Sequence, residues 1–289
     1  MNYALLYTAS MNLRREIDAD EIRRLYVDEG WTMAELAEHY GCSETTIRRR
    51  LDELGIATHP RGPRLSQFLS ESGLVDWSAD LAYAVGLIAT DGNLSKDGRH
   101  MCVVSKDIDL LETLRECLNI ENSIAPHGGG WGDGAYKLQW GSRNFYDWLL
   151  SIGLMPAKSL HLGPLTVPDE YLADFTRGCI DGDGTIVTYT DRYNTFKSEK
   201  YVYERLFVAI TSASYPFLEW LQKSVSRVLG VTGALFLDRD ARPGRAAIWE
   251  LKYAKHESIQ LLRWMYHSPD VPCLARKRNK AQPFLTGSE

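Results

Sequence analysis

Residues 76 to 289 contain the same pattern twice, and that duplication limits the folds open to this chain more than any other feature. LAYAVGLIATDGNLS, from Leu81, aligns with ADFTRGCIDGDGTIV, from Ala173, at a constant offset of 92 residues. The alignment matches Gly86 to Gly178, Ile88 to Ile180, Asp91 to Asp183 and Gly92 to Gly184. Each motif is followed by the pattern of a hairpin (93–105 and 185–212) and then of a helix (107–118 and 214–229). A second strand pair and a closing helix complete each copy, in AYKLQWGSRNFYDWLL and IWELKYAKHESIQLLR. A period near 90 residues is too long for a solenoid, so two copies are expected, 76–165 and 166–289, paired about a pseudo-twofold axis.

The motif itself has a physical logic. Ala82, Gly86 and Thr90 fall four residues apart on one helical face, and Asp174, Gly178 and Gly182 occupy the matching face of the second copy. Mostly small residues at this spacing let two helix backbones approach closely. The expected helix interface is therefore Ala82 and Gly86 against Gly178 and Gly182. Each helix then runs into Asp-Gly, the glycine being expected to supply the helix stop. A lone Asp-Gly is ordinarily a turn, but two at equivalent repeat positions would bring Asp91 and Asp183 side by side. Paired carboxylates are hard oxygen ligands suited to Mg2+ or Mn2+, and such a site can activate water in phosphodiester hydrolysis. A small-molecule phosphodiesterase is disfavoured, because no glycine-rich phosphate loop is present.

On these residues the chain resembles a single-chain, two-motif LAGLIDADG homing endonuclease. GCIDGDG, from Gly178, is nearly a full match to the family signature. GLIATDG, from Gly86, has Ala89 and Thr90 where the family usually has an acid and a small residue, a departure at a supporting position. The likeness spans about residues 76 to 285, including the spacer GLMPAKSLHLGPLTVPDEYLADFTRG and the terminal LARKRNK. It implies an α+β fold of two pseudo-symmetric αββαββα repeats forming a DNA-binding saddle. It also implies Mg2+, with Mn2+ as a substitute, held by Asp91 and Asp183 with Thr90 and Gly182 beside them. The implied activity is cleavage of both strands of a long, specific duplex, leaving short 3′ overhangs.

The resemblance further places one basic residue near each scissile phosphate. Lys158 in MPAKS and Lys277 in ARKRN stand at the matching positions, with Arg276 or Arg278 as alternatives to Lys277. Lys106 and Ser212 follow the inner strands at the family's pocket position. The sheets would enter the major groove, with alternate strand residues turned to bases and phosphates. Lys106, Lys137 and Gln139 are the candidates in the first copy. The second copy supplies Arg192, Tyr193, Lys197, Arg205, Arg239, Arg242, Arg245 and Lys252, with Tyr189, Asn194, Lys200 and Tyr203 crowding the same long hairpin.

Residues 1–57 are helical in pattern and dense in charge. Thr32 with Glu35 forms a capping box, Gly41 marks a tight turn and Ser43 suits the N-cap of a further helix. Ile47, Leu51 and Leu54 give that helix an apolar stripe, leaving Glu44, Thr45, Arg48 and Arg49 toward solvent. The unit resembles a helix-turn-helix whose helix 44–54 would enter the major groove through Thr45, Arg48 and Arg49. A basic linker with Pro and Gly, 58–75, follows, and its Arg61 and Arg64 are expected to track a minor groove.

The formal net charge of −5 argues against a phosphate-binding protein until it is divided by region. Residues 65–167 carry 7 Lys and Arg against 12 Asp and Glu, whereas residues 168–289 carry 17 against 15. Part of the acid (Asp107, Asp109, Glu112, Glu116) falls on one helical segment expected to face away from DNA. The five cysteines form no Cys-x-x-Cys pair, which disfavours a zinc ribbon or a disulfide framework and suits a cytoplasmic or nucleoid location. No stretch has the apolar length of a membrane span or a secretory signal, and a monomer is expected. An intein is not expected, since the chain ends in GSE and starts without Cys or Ser. The rival expectations are a DNA-binding transcriptional regulator on the same scaffold, and an intron maturase with host intron RNA as partner.

Overall fold

The computed structural model describes residues 17–29, 31–58, 76–128, 134–193, 195–196 and 198–285. The chain divides into two compact units, residues 1–60 and 61–289.

In the smaller unit, α1 (Ala19–Arg23) continues as one π-helical turn (Arg24–Asp28), followed by α2 (Met33–Tyr40) and α3 (Glu44–Glu53). Thr32 and Glu35 close a reciprocal cap, with Glu35 N donating to Thr32 Oγ1 at 3.2 Å and Thr32 N to Glu35 Oε2 at 2.6 Å. Gly41 ends α2 at φ 58°, a left-handed conformation costly for other residues, and Ser43 caps α3. Ile22, Leu25, Tyr26, Leu36, Ile47 and Leu51 form the core of this unit, with Leu54 partly buried at its edge.

The larger unit contains two four-stranded antiparallel sheets with the same topology. The first has β1 (Gly92–Leu94), β2 (His100–Ser105), β3 (Ile124–Pro126) and β4 (Tyr136–Gly141) in the order β1-β2-β4-β3. The second has β5 (Gly184–Asp191), β6 (Tyr203–Ser212), β7 (Ala234–Arg239) and β8 (Ile248–Tyr253) in the order β5-β6-β8-β7. Helices α4 (Ala79–Thr90), α5 (Ile108–Cys117) and α6 (Arg143–Ser151) alternate with the first set of strands. Helices α7 (Leu172–Asp183), α8 (Tyr215–Leu229) and α9 (Lys255–Met265) alternate with the second, and α10 (Ala275–Leu285) follows. No helix among the described residues is long and apolar enough to cross a membrane.

Helices α4 and α7 pack on each other at the centre, and the small residues explain how. A Cβ on Gly86 would lie 2.2 Å from Phe175 O, and a Cβ on Gly178 would lie 2.2 Å from Tyr83 O. Neither backbone can tolerate a methyl group there, and Ala82 is fully buried in the same region. The matching face is less uniform than its spacing suggests. Asp174 is buried, accepting from Arg177 Nη2 at 2.7 Å and lying 3.2 Å from His267 Nε2. Arg177, fully buried, also donates through Nε to Pro272 O at 2.7 Å and through Nη1 to Met265 O, fastening α7 to the end of α9 and the chain that follows it.

The glycines after the two aspartates differ from expectation. Gly184 has φ −89° and ψ 171°, and Gly92 is absent from the positive-φ residues, so neither supplies a left-handed stop. Space is the reason for glycine here. A Cβ would lie 2.5 Å from Ile88 O at Gly92 and 2.6 Å from Ile180 Cα at Gly184, because each strand departs directly against the last helical turn.

Candidate active site

The C-terminal ends of α4 and α7 converge. A Cβ on Gly182 would lie 2.1 Å from Thr90 Oγ1 and 3.3 Å from Asp91 Oδ2, so the bare glycine of one helix makes room for the threonine and aspartate of the other. Asp91 is half-buried and Asp183 opens to solvent. Burial and the neighbouring Asp183 charge push Asp91 up to about 7, against the pull of Lys277 and Lys158. Asp183 is also raised by the protein around it, with Lys158 and Lys277 pulling the other way, and its access to water offsets part of that desolvation.

Both lysines are buried beneath these ends. Lys158 Nζ donates to Thr90 O at 2.9 Å. Lys277 Nζ donates to four carbonyls at the end of α7 and the start of β5: Ile180 at 2.6 Å, Asp181 at 2.8 Å, Gly182 at 3.2 Å and Gly184 at 2.7 Å. Burial pushes Lys277 down to about 8 and lowers Lys158 too. Neither alternative arginine takes the place of Lys277. Arg276 is tied to Asp107, with Nε 2.9 Å from Oδ1 and Nη2 2.7 Å from Oδ2, and Arg278 lies over the Tyr266 ring. Asp107 therefore does not simply face away: it bonds across from the head of α5 to α10, and its charge raises Asp91.

The donor set suits a hard divalent cation. Among the described residues, no hydrogen bond reaches the Asp91 or Asp183 carboxylate, and burial raises the pKa of both despite the two lysines nearby, so a bound cation would relieve the cost of ionising them. Thr90 and Gly182, the other two expected ligands, stand at the same helix ends. Thr90 Oγ1 turns back to Gly86 O and Leu87 O, both at 3.1 Å, because a hydroxyl in a helix finds the preceding turn first. The carbonyls of Thr90 and Gly182 accept from Lys158 and Lys277 and each keep a second lone pair, while the two carboxylates accept no hydrogen bond among the described residues. No group of three or more His, Cys, Asp or Glu with metal-site geometry occurs among the described residues.

One acid in the motif does not stand out from spacing. Asp181, buried, accepts from Tyr83 Oη at 3.0 Å and from Leu274 N at 2.7 Å, while its Oδ1 has no partner. Burial raises it to about 6. Its repeat counterpart is Ala89, and that mismatch at offset 92 is the signal the sequence carries for it.

Register places the sheet candidates. Asn93, Cys102 and Gln139 are paired across β1, β2 and β4, as are Val104 and Lys137, opposite the buried face of Met101, Val103, Leu138 and Trp140. In the second sheet, Thr185, Ala209 and Lys252 align, and Tyr189 pairs with Arg205. Lys252 Nζ lies 3.8 Å from the Phe207 ring centroid, and Arg205 Nε donates to Asp191 Oδ2 at 3.0 Å. Arg239 binds Asp238, while Arg242 and Arg245 bridge each other through their backbones about the turn at Pro243 and Gly244. Arg192, Tyr193 and Lys106 are exposed, Tyr193 at 83%. Ser212 Oγ accepts from Ser214 N at 3.1 Å, as Ser105 Oγ does from Asp107 N in the other repeat. In the smaller unit Thr45, Arg48 and Arg49 are exposed on α3, and Arg49 lies 3.7 Å from Glu53. Arg61, Arg64, Asn194 and Lys197 lie outside the described residues.

The chain is similar to solved homing endonuclease structures. Mesophilic variants of the homing endonuclease I-DmoI match at 18% identity over 70% of this chain and 96% of theirs, with a TM-score of 0.45. The I-LtrWI LAGLIDADG homing endonuclease bound to target DNA matches at 14% identity over 71% and 89%, with a TM-score of 0.46. The meganuclease I-SmaMI bound to uncleaveable DNA matches at 14% identity over 72% and 91%, with a TM-score of 0.46. No family model and no curated protein matches.

Proposed function

We propose that this chain is a divalent-metal-dependent, site-specific DNA endonuclease of the LAGLIDADG type, hydrolysing both strands of a long duplex. The observation that carries the reading is the pair of carboxylates without hydrogen-bond donors at the converging ends of two repeat-related helices, with a buried lysine beneath each end. Asp91 and Asp183 would hold Mg2+, which when bound supplies Lewis acidity and an activated water. The protein's own part is to hold both carboxylates side by side at the helix ends, where burial makes them reluctant to ionise until a cation arrives, and to place ammonium charge near a phosphate that accumulates negative charge. One repeated centre would serve a duplex whose two strands are themselves related by a twofold axis.

The two sheets would present Lys137 and Gln139 on one side, and Arg192, Tyr193, Arg205, Arg239, Arg242, Arg245 and Lys252 on the other, to the major groove. The smaller unit would act as a helix-turn-helix that lengthens the recognised site through Thr45, Arg48 and Arg49, with Arg61 and Arg64 following the groove between.

The test is a cleavage screen on a randomised duplex library with Mg2+, comparing the wild type with Asp91→Asn and Asp183→Asn. Metal-dependent cutting at a defined sequence, lost in both variants, supports the reading. Tight, specific binding without cutting by the wild type would instead make the chain a regulator.

A further inference from the structure

The two lysines stand at equivalent places in the repeats, yet their surroundings are unequal. An ammonium group has three protons to donate. Lys277 Nζ has four carbonyl oxygens within 3.2 Å, so every proton is taken up by the backbone at the end of α7 and the start of β5. Lys158 Nζ has one such partner among the described residues, Thr90 O at 2.9 Å, which leaves two protons to give. The elements beside them are unequal in the same sense. Behind Lys277, Asp181 binds Leu274 N at the entry to α10 and Tyr83 of the opposite helix, and Arg276 holds Asp107. In the first repeat Ala89 replaces Asp181, and a methyl group cannot form the corresponding strut.

We infer a division of labour that rests on the nuclease reading above: Lys158 is the lysine that meets a scissile phosphate, while Lys277 is a positioning residue that holds the chain reversal at Asp183. A buried ammonium that crosslinks four carbonyls cannot turn to a phosphate without abandoning a helix end whose C=O groups depend on it. Lys158 can keep Thr90 O and still donate. The two centres are then unequal, and the strand next to Lys158 is cut first, so nicked duplex accumulates before the double-strand break.

The division is tested on the full chain with Lys158→Met and Lys277→Met, which keep the apolar stem and remove the charge. Without DNA, 15N-labelled protein should show one slowly exchanging lysine ammonium resonance, absent from Lys277→Met and retained in Lys158→Met. The melting temperature of the larger unit should fall by about 10 °C in Lys277→Met, and by a third of that or less in Lys158→Met. On a supercoiled plasmid carrying the site recovered by the cleavage screen, the wild type should pass through nicked circle. Lys158→Met should slow the first cut about a hundredfold and abolish that accumulation. Lys277→Met, assayed below its melting point, should keep the ratio of the two strand rates. Loss of the protected resonance in Lys158→Met, or an unchanged melting temperature with an altered strand ratio in Lys277→Met, would overturn the assignment. If the wild type cuts nothing, the nuclease reading fails, while the resonance and the melts still decide whether Lys277 is the strut.

Discussion

At the residue scale, the proposed chemistry rests on two carboxyl groups that burial makes reluctant to ionise, even with two lysines beneath them. Asp91 sits near 7 because burial and Asp183 oppose its ionisation. If Asp91 holds the proposed divalent cation, it does so as the carboxylate, so binding must expel the proton that Asp91 holds below that point. The apparent affinity for Mn2+, measured by calorimetry on the full chain, is therefore expected to rise by at least about tenfold per pH unit below about 7, the raised Asp183 adding to the slope, and to flatten above it. An affinity independent of pH between about 5.5 and 7 would show that Asp91 does not bind the metal. A second residue-scale expectation concerns Gly182, whose missing side chain is occupied by Thr90. Gly182→Ala should cost about 1–3 kcal/mol through overpacking. Thr90→Ala should return only part of that, since Thr90 Cβ itself would lie 2.9 Å from the new methyl. A double-mutant cycle by urea denaturation measures the coupling, and strict additivity of the two changes would refute the contact.

At the scale of elements, the crossing of α4 on α7 is where sequence and structure agree most closely, and the reason is geometric. Four-residue spacing of small side chains has one physical use in a buried helix pair, so Gly86 and Gly178 are legible as a contact from spacing alone. Gly86→Ala should cost about 3 kcal/mol, because the methyl meets a carbonyl of the partner backbone and not a side chain that can turn aside. The alternation of β2 and β4 and the capping box of α2 are legible for the same reason: each is a local rule with a fixed period. What escapes a reading of the sequence is what depends on distant partners. Asp174 three residues earlier is a local partner, but nothing local marks Arg177 as fully buried, since its other acceptors, Met265 O and Pro272 O, are about 90 residues away. Nor does any local pattern reveal that Gly92 and Gly184 serve space and not a left-handed turn, or that Asp107 reaches Arg276. Arg177→Met should be strongly destabilising, by about 3–5 kcal/mol, because Asp174 would stay buried without its guanidinium. A loss below about 1 kcal/mol in chemical denaturation would mean that His267 alone suffices for Asp174.

At the scale of the molecule, the proposed DNA partner has to be squared with the acidic balance of the chain, and the charges are unevenly spread. The second repeat holds 17 of the 33 Lys and Arg residues, and several of them line one face of its sheet or the turn at its edge. They are not equally available. Arg205 and Arg239 are engaged by Asp191 and Asp238, whereas Arg242 and Arg245 meet each other only through their backbones. Counterion release makes the distinction measurable, because each phosphate contact contributes about −0.9 to the slope of log K against log salt. Replacing Arg242 and Arg245 by Gln should make that slope shallower by about 2. Replacing Arg205 alone should change it by less than about 1, since its charge is already partly neutralised before DNA arrives. Neutralising Lys106 and Lys137 in the first repeat should weaken binding less than neutralising the Arg242 and Arg245 pair does. Deletion of residues 1–60 should lower the affinity and shorten the protected site while leaving cleavage of the bound duplex intact. Equal losses from the two repeats, in gel-shift titrations at several salt concentrations, would mean that binding does not lean on the second sheet, and that the charge asymmetry serves solubility and not recognition.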